Sequence, residues 1–223
     1  MKLNTDKKYD KILLISIART ASSYLTLILG YPFVHRFRVG EPFNTNGSGY
    51  GVDWESMDKV VVKTHVQHLL DSYPDPTELT DKFDYVIKVK RRNLFQQVTS
   101  LARSKTMDVW NLDNLGDRTS EEEELMKQGC IIAKEDFVRL YEYVIDQYKD
   151  MENIRANDVI YFEDLSFDPK IDIRNICGLP VNDDQYKSYI HTAKLPDKQS
   201  TIKNYEECKI WWRELTGEII QND

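Results

Sequence analysis

Four short segments are mostly apolar and rich in β-branched or aromatic residues, and they constrain the fold more than any other feature. They are Lys11–Ile17, Lys59–Lys63, Asp84–Val89 and Asp158–Phe162. They lack the clean alternation of apolar and polar side chains that a strand with one face in water shows. This pattern is typical of strands buried on both faces, as in a parallel sheet.

Segments with helical periodicity lie between and after these strands. They are Ser22–Gly30, Val66–Ser72, Leu94–Ser104, a long helix within Lys134–Met151, and Tyr205–Ile220. Ser120 and Glu123 form a capping box, which predicts that another helix opens at Glu121–Glu124. Alternating strands and helices predict a three-layer α/β fold, in which helices flank a mainly parallel central sheet. No linker or repeat divides the chain, so we predict a single domain, 1–223.

Composition and charge disfavour several classes of protein. The 223 residues include 30 Lys+Arg and 37 Asp+Glu, a net charge of −7, which disfavours nucleic-acid binding but leaves room for a small basic pocket. The three cysteines, Cys130, Cys177 and Cys208, form no CxxC pair. They favour a reduced, cytoplasmic protein over a disulfide scaffold or zinc site. Apolar runs fall far short of the ~18 residues that a membrane span requires, and we predict no signal peptide.

The loop after the first strand, residues 18–25, reads ARTASSYL and runs into a helix. Parallel sheets bind ligands at the carboxyl ends of their strands, and a helix N-terminus attracts anions. Arg19 adds a cation, and hydroxyls come from Thr20, Ser22 and Ser23. The loop contains neither glycine nor lysine, so it is not a triphosphate-binding P-loop. It predicts a different anion site, unless it is an ordinary helix cap.

A basic run, Lys88–Arg92, follows the third strand and leads into a helix. Ser100 lies eight residues after Arg92, a little over two helical turns. A long Arg92 side chain can fold back toward Ser100, so the two can hold one phosphate. A solvated basic cluster is the alternative.

Together, these two loops resemble the PAPS-dependent sulfotransferases. ARTASSYL is similar to the bacterial form of the loop that binds the 5′-phosphosulfate of 3′-phosphoadenylyl sulfate (PAPS). Arg19 stands where cytosolic animal enzymes carry Lys. RRNLFQQVTSLAR, residues 91–103, resembles the segment whose arginine and serine bind the 3′-phosphate, particularly in bacterial carbohydrate sulfotransferases. It lacks the proline common in the cytosolic enzymes.

Further similarities follow in the same order. VVKTH, Val61–His65, resembles the Lys-Thr-His segment of the cytosolic enzymes, whose histidine is the catalytic base. VIYFEDL, Val159–Leu165, resembles the family's Tyr-Glu-Asp-Leu strand end, with Phe162 interposed. The resemblance covers roughly residues 11–170, and Lys198 lies in a segment only loosely similar to the C-terminal cofactor segment. It implies a P-loop-NTPase-like form of the three-layer fold.

The resemblance also implies roles for these residues. Arg19 and the backbone N–H groups of residues 20–24 (Thr20, Ala21, Ser22, Ser23 and Tyr24) would hold the 5′-phosphosulfate and stabilise the leaving phosphate, which makes Arg19 a catalytic candidate as well. Lys63 would assist near the sulfuryl group, while Arg92, Ser100 and Lys198 would bind the 3′-phosphate. The product would be the bisphosphate PAP, and no metal is required because sulfate carries less charge than a triphosphate terminus.

Two residues are candidates for the base that takes the acceptor's proton. His65 is preferred, by its place in the Lys-Thr-His segment and because histidine accepts a proton at cellular pH. Glu41, in Gly40-Glu41-Pro42-Phe43, is similar to a glutamate used by some bacterial carbohydrate sulfotransferases. It would need a pKa raised by burial.

Other functions stay open. A P-loop-type nucleotide kinase or NTPase fits the order of elements but lacks the GxxxxGK[ST] motif. A non-catalytic nucleotide-binding relative would keep the same residues without turnover. The partner is expected to be a small-molecule or carbohydrate acceptor, with lipid-like alcohols, phenols and peptides equally open, and neither the acceptor nor the oligomeric state is readable from the sequence.

Overall fold

The structure contains a five-stranded parallel sheet. The computed structural model describes residues 9–30, 37–47, 49–108, 124–125, 127–177 and 198–220. The strands are β1 Lys11–Ser16, β2 Phe37–Gly40, β3 Val60–His65, β4 Tyr85–Lys90 and β5 Asp158–Tyr161. All neighbouring pairs are parallel, in the order β2-β3-β1-β4-β5. The predicted α/β class with a parallel sheet flanked by helices is therefore confirmed, and β2 is the one strand the apolar segments did not include.

Helices fill the connections that parallel strands require. In the described residues they are α1 Ser22–Gly30, α2 Val66–Ser72, α3 Thr77–Thr80, α4 Leu94–Met107, α5 Lys134–Glu152, α6 Pro169–Cys177, α7 Lys198–Thr201 and α8 Tyr205–Thr216. The predicted C-terminal helix ends four residues early because Gly217, with φ of 75°, forms a left-handed cap. The helix predicted to open at Glu121–Glu124 lies outside the described residues, apart from Glu124.

Successive residues of β1 pack on opposite faces of the sheet, as the two-residue period of a strand requires. Ile12 and Leu14 belong to a core with α1 and α6, while Leu13 and Ile15 belong to a second core with α2 and α3. All four side chains are fully buried. Burial on both faces explains why the strands read as continuous apolar runs.

The chain divides into two compact units. The first, residues 1–92 and 147–190, contains the whole sheet. The second, residues 93–146 and 191–223, contains α4, α7, α8 and most of α5. Its core includes the edge contacts of Phe95 with Tyr205 and with Trp212. The single domain over residues 1–223 stays a prediction. No helix in the described part of the chain has the length and apolarity needed to cross a membrane.

Candidate functional site at the carboxyl ends of β1 and β3

The strand order reverses direction at β1, which makes the carboxyl end of β1 a topological switch point. The chain goes from β1 to β2 and β3 on one side and later to β4 and β5 on the other. Loops at such a switch point diverge and leave room for a ligand at the carboxyl ends of the strands. Ser16, the last residue of β1, pairs with His65 of β3 and with Val89 of β4. The loop after β1 thus begins beside the ends of β3 and β4.

The loop after β1 has an unusual backbone. Arg19 and Ala21 have φ values of 68° and 63°. These values lie in the left-handed region, which residues other than glycine rarely adopt. Thr20 is fully buried, and its hydroxyl donates to the carbonyl of Ile17 at 2.9 Å. Thr20, which was predicted to bind the cofactor, therefore uses its side chain to stabilise the loop. Tyr24 does likewise, because its hydroxyl donates to Asp172 of α6 at 2.6 Å.

The start of α1 has backbone donors that its own hydrogen bonds do not use. The first helical bond runs from the N–H of Leu25 to the carbonyl of Ala21, at 3.1 Å. The N–H groups of Ser22 and Ser23 precede that bond, so the helix's own ladder does not use them. The Ser23 hydroxyl accepts from Lys63 Nζ at 3.0 Å. A cation from β3 therefore lies at this helix start, where the helix dipole also favours negative charge.

Lys63, Glu41 and His65, three residues singled out in the sequence, come together in one cluster, in which Lys63 and Glu41 are buried and His65 is partly buried. Glu41 Oε1 lies 3.1 Å from Lys63 Nζ and 2.9 Å from His65 Nε2. The sheet register explains this, because Gly40 at the end of β2 pairs with Lys63. The N–H of Glu41 then donates to the carbonyl of Lys63 at 2.7 Å.

His68 is a fourth member that the sequence patterns did not single out. Its Nδ1 lies 3.2 Å from Glu41 Oε2, which also accepts from the backbone N–H of His65 at 3.3 Å. Val66 opens α2, so His68 lies in the first turn, three residues after His65 and on the same side. The spacing His-x-x-His at the junction of a strand and a helix was the available signal.

The electrostatics of the cluster depend on Glu41. Burial by itself would raise the pKa of this carboxyl, but its contacts with the imidazoles of His65 and His68 and with the ammonium of Lys63 outweigh burial and hold its pKa far below the ordinary value. A carboxylate so firmly ionised is a weak base near neutral pH. A pKa held this low argues against Glu41 as the proton acceptor, and its role stays a prediction.

Glycines pack closely around Glu41. A Cβ on Gly47 would lie 2.3 Å from the carbonyl oxygen of Glu41, and one on Gly49 would lie 2.5 Å from that of Gly40. Such contacts are impossible, so both positions require glycine. The loop between β2 and β3 is thereby held against Glu41, whose own φ is 55°.

The basic run at the end of β4 is divided between the two faces of the sheet. Lys88 and Lys90 lie on the face of α2 and α3, where Lys88 Nζ donates to the carbonyl of Glu152 at 3.3 Å and Lys90 pairs with the Glu152 carboxylate. Burial, reinforced by the charge of Lys90, lowers the pKa of Lys88, although Glu152 opposes this. These two lysines serve the opposite side of the sheet from α1.

The Arg91 side chain lies on the opposite face from Lys88 and Lys90, the face of α1. Its guanidinium lies 4.0 Å from the ring centre of Phe162, and its Nη1 donates to the carbonyl of Arg19 at 3.4 Å. The aromatic residue that interrupts the tyrosine–glutamate pair thus provides a stacking surface for Arg91. Arg91 in turn braces the loop after β1.

Arg92, the predicted 3′-phosphate ligand, already binds a carboxylate. Its Nη1 and Nη2 donate to Asp164 at 2.6 and 2.8 Å, its backbone N–H donates to Glu163 at 2.9 Å, and its guanidinium stacks on Tyr161. Ser100 is buried in α4 of the second unit, and Lys198 opens α7, with its side chain outside the described residues. Binding of one phosphate by these three residues stays a prediction.

By residue type, His65, His68 and Glu41 could also be metal ligands. However, the carboxylate contacts both rings directly, and the Lys63 ammonium lies against it. Across the described ranges, no group of three or more His, Cys, Asp and Glu residues is arranged to hold a metal ion. Comparisons of the chain with protein-family models, with curated proteins and with solved structures found no match.

Proposed function

We propose that this protein transfers a sulfuryl group from PAPS to a hydroxyl or amine of an acceptor. The observation that carries this proposal is the position of Lys63. Its Nζ lies 3.0 Å from Ser23 Oγ at the start of α1 and 3.1 Å from Glu41 Oε1 in the histidine cluster. One ammonium group therefore joins an anion-binding helix start to a carboxylate–histidine arrangement. Sulfuryl transfer needs both, to stabilise the leaving phosphate and to take the acceptor's proton.

The transfer is an in-line displacement at sulfur. The acceptor's oxygen or nitrogen forms the new bond to sulfur, and the bond between sulfur and the 5′-phosphate oxygen breaks, leaving its electron pair on that oxygen. The loop of residues 18–24 and Lys63 stabilise the charge that develops there. The acceptor's proton goes to an imidazole held by Glu41. No step in this sequence calls for a divalent cation.

The donor's two ends fit the described residues differently. For the 5′-phosphosulfate, the start of α1, Ser23 and Lys63 supply donors and positive charge in one place. For the 3′-phosphate, Arg92 would have to exchange Asp164 for the phosphate. Its exposure favours that exchange, since half of the Arg92 side chain is accessible to solvent. Exposed ion pairs contribute little, because water screens them.

Two further statements belong to the same proposal. The β1-to-α1 loop and the all-parallel strand order support a P-loop-NTPase-like relationship of the fold. A cytoplasmic location agrees with Cys130 and Cys208, which are buried free thiols. The acceptor class is to be found by mass gain in a screen of carbohydrates, phenols, lipid-like alcohols and peptides with labelled PAPS.

Isothermal titration calorimetry with adenosine 3′,5′-bisphosphate tests nucleotide binding. We expect tighter binding of the bisphosphate than of Mg-ATP, and a loss of tenfold or more in Arg92→Ala. Asp164→Asn should bind at least as tightly as the wild type, because it releases Arg92 from its competing carboxylate. Arg139→Ala, which removes an exposed arginine of α5 paired with Asp136, is the control and should bind normally.

The outcomes separate the candidate functions. Equal or better binding of Mg-ATP would overturn the sulfotransferase proposal and favour a nucleotide kinase. Tight binding of bisphosphate, with no mass gain in any acceptor, would indicate a non-catalytic relative.

A further inference from the structure

We propose that His68, rather than His65, takes the proton of the acceptor, through its Nε2 atom. The inference rests on the proposed sulfuryl transfer and names the base within the same cluster. It starts from the contacts of the four imidazole nitrogens, which differ between the two rings.

Both ring nitrogens of His65 already have partners. Nε2 lies 2.9 Å from Glu41 Oε1, and Nδ1 lies 3.3 Å from the hydroxyl of Ser16. Ser16 is fully buried at the end of β1. A neutral imidazole has one N–H donor and one acceptor nitrogen. In His65, Nε2 faces the Glu41 carboxylate at ion-pair distance. Nδ1 faces the hydroxyl of Ser16, which also donates to the carbonyl of Thr64 at 3.4 Å. Neither nitrogen is therefore directed toward a ligand.

His68 has a different arrangement. Its Nδ1 lies 3.2 Å from Glu41 Oε2, while its Nε2 has no hydrogen-bond or ion-pair partner among the described residues. The ring is partly accessible, with 26% of the side chain exposed. A carboxylate at Nδ1 places the proton on that nitrogen and leaves the Nε2 lone pair as acceptor. It also stabilises the imidazolium that forms when Nε2 gains a proton.

Glu41 therefore has two tasks, because each of its oxygens serves a different histidine. Oε1 holds His65 and Lys63, which fix the carboxylate in place, and Oε2 orients His68. The rings of His65 and His68 are close, 5.8 Å between centroids and nearly perpendicular. In the transfer, the acceptor O–H or N–H proton moves to Nε2 of His68 as the bond to sulfur forms. The electron pair of the broken S–O bond stays on the phosphate of the bisphosphate product.

The first experiment reads the two tautomers in the wild-type protein and needs no turnover. Long-range ¹H–¹⁵N NMR correlations, at a pH where both rings are neutral, distinguish protonated from unprotonated ring nitrogens. We expect His68 to carry its proton on Nδ1 and His65 to carry its proton on Nε2. A proton on Nε2 of His68 would overturn the proposal, whether or not the protein transfers sulfuryl groups.

The second experiment uses chemical rescue. His68→Ala should lower kcat by 100-fold or more while leaving bisphosphate affinity unchanged in calorimetry, and added imidazole should restore part of the rate. His68→Gln, which keeps a polar side chain, serves if the alanine variant is poorly folded and should show the same loss. Gln67→Ala, an exposed neighbour on α2, is the matched control and should retain the wild-type rate.

The results distinguish a failure of the role proposed for His68 from a failure of the proposed sulfuryl transfer. Normal kcat in His68→Ala, together with imidazole-rescued loss in His65→Ala, would return the role of base to His65 and overturn this inference alone. A wild-type protein that transfers no sulfuryl group would overturn the proposed function, and the tautomers would still decide whether His68 is the proton-accepting imidazole of the cluster.

Discussion

Glu41 and Glu152 each neutralise lysines near strand ends, on opposite faces of the same sheet. Glu41 is buried, with 11% of its side chain exposed, and contacts Lys63 and two histidines. Glu152 is 64% exposed and pairs with Lys90. The pKa values of both carboxyls are lowered: that of Glu152 chiefly by the hydrogen bond and charge of Lys90, that of Glu41 by its histidine and lysine partners against the opposing effect of burial.

The difference is one of solvent. The two lysines are equally buried, since 11% of the Lys90 side chain and 10% of the Lys63 side chain are exposed. Water reaches the Glu152 carboxylate and screens that pair from one side. Around Glu41 water is largely excluded from both partners, so loss of the carboxylate would leave the buried ammonium of Lys63 without a counter-charge or solvent.

The largest effect is expected from Glu41→Gln. Because it leaves Lys63 without its buried counter-charge, the free energy of unfolding should fall by about 3 kcal/mol. The matched variant Glu152→Gln should lower it by less, because water reaches the Glu152 side of the pair with Lys90. Urea denaturation followed by circular dichroism measures both. Similar losses in the two variants would contradict the comparison.

Acidification should affect the two sites in the same direction but by different amounts. The folded-state pKa of Glu41 lies below its ordinary value of 4.5, so the unfolded chain binds more protons as the pH falls through that range. The stability that Glu41 contributes is therefore present above about pH 4.5 and lost below it. Urea midpoints from pH 7 to pH 3 should fall more steeply in the wild type than in Glu41→Gln. Parallel curves would show that Glu41 has no such linkage.

A smaller change in the free energy of unfolding, of opposite sign, is expected from replacing Lys88, which contacts Glu152. Lys88 is only 6% exposed, and its pKa is lowered mainly by burial. Lys88→Met keeps the apolar stem and removes a buried charge, so it should raise the free energy of unfolding at pH 7 by up to about 1 kcal/mol. Because the lowered pKa lets Lys88 lose its proton as the pH rises toward 10.5, this advantage should shrink at pH 10. Destabilisation at pH 7 would show that the carbonyl contact of Lys88 outweighs its burial.

The sheet was predictable because β1, β3, β4 and β5 are buried on both faces and therefore have continuous apolar sequences. The short β2, Phe37–Gly40, carries no such run, and its packing is decided by its neighbour β3. The Lys-Thr-His segment pointed to Lys63 and His65. The role of His68 depends on a contact between residues 27 positions apart, which no local pattern records.

The division of the basic run was also beyond a local pattern. Lys88 and Lys90 alternate with Val89 and Arg91 along the strand, so a compact charge cluster in sequence becomes two sites in space. The two-residue period of a strand would have assigned Lys88 and Lys90 to one face and Arg91 to the other. That assignment requires knowing at which residue the strand ends. Strand ends are the least certain part of a sequence-based assignment.

The left-handed backbone of Glu41 bears on how this chain could diverge. At φ of 55°, glycine would relieve strain of about 1 kcal/mol, so mutation toward glycine is conformationally easy at this position. Loss of the carboxylate would still strand the buried ammonium of Lys63. The relief of backbone strain is therefore available only to a chain that has also replaced Lys63, so the two positions are expected to change together.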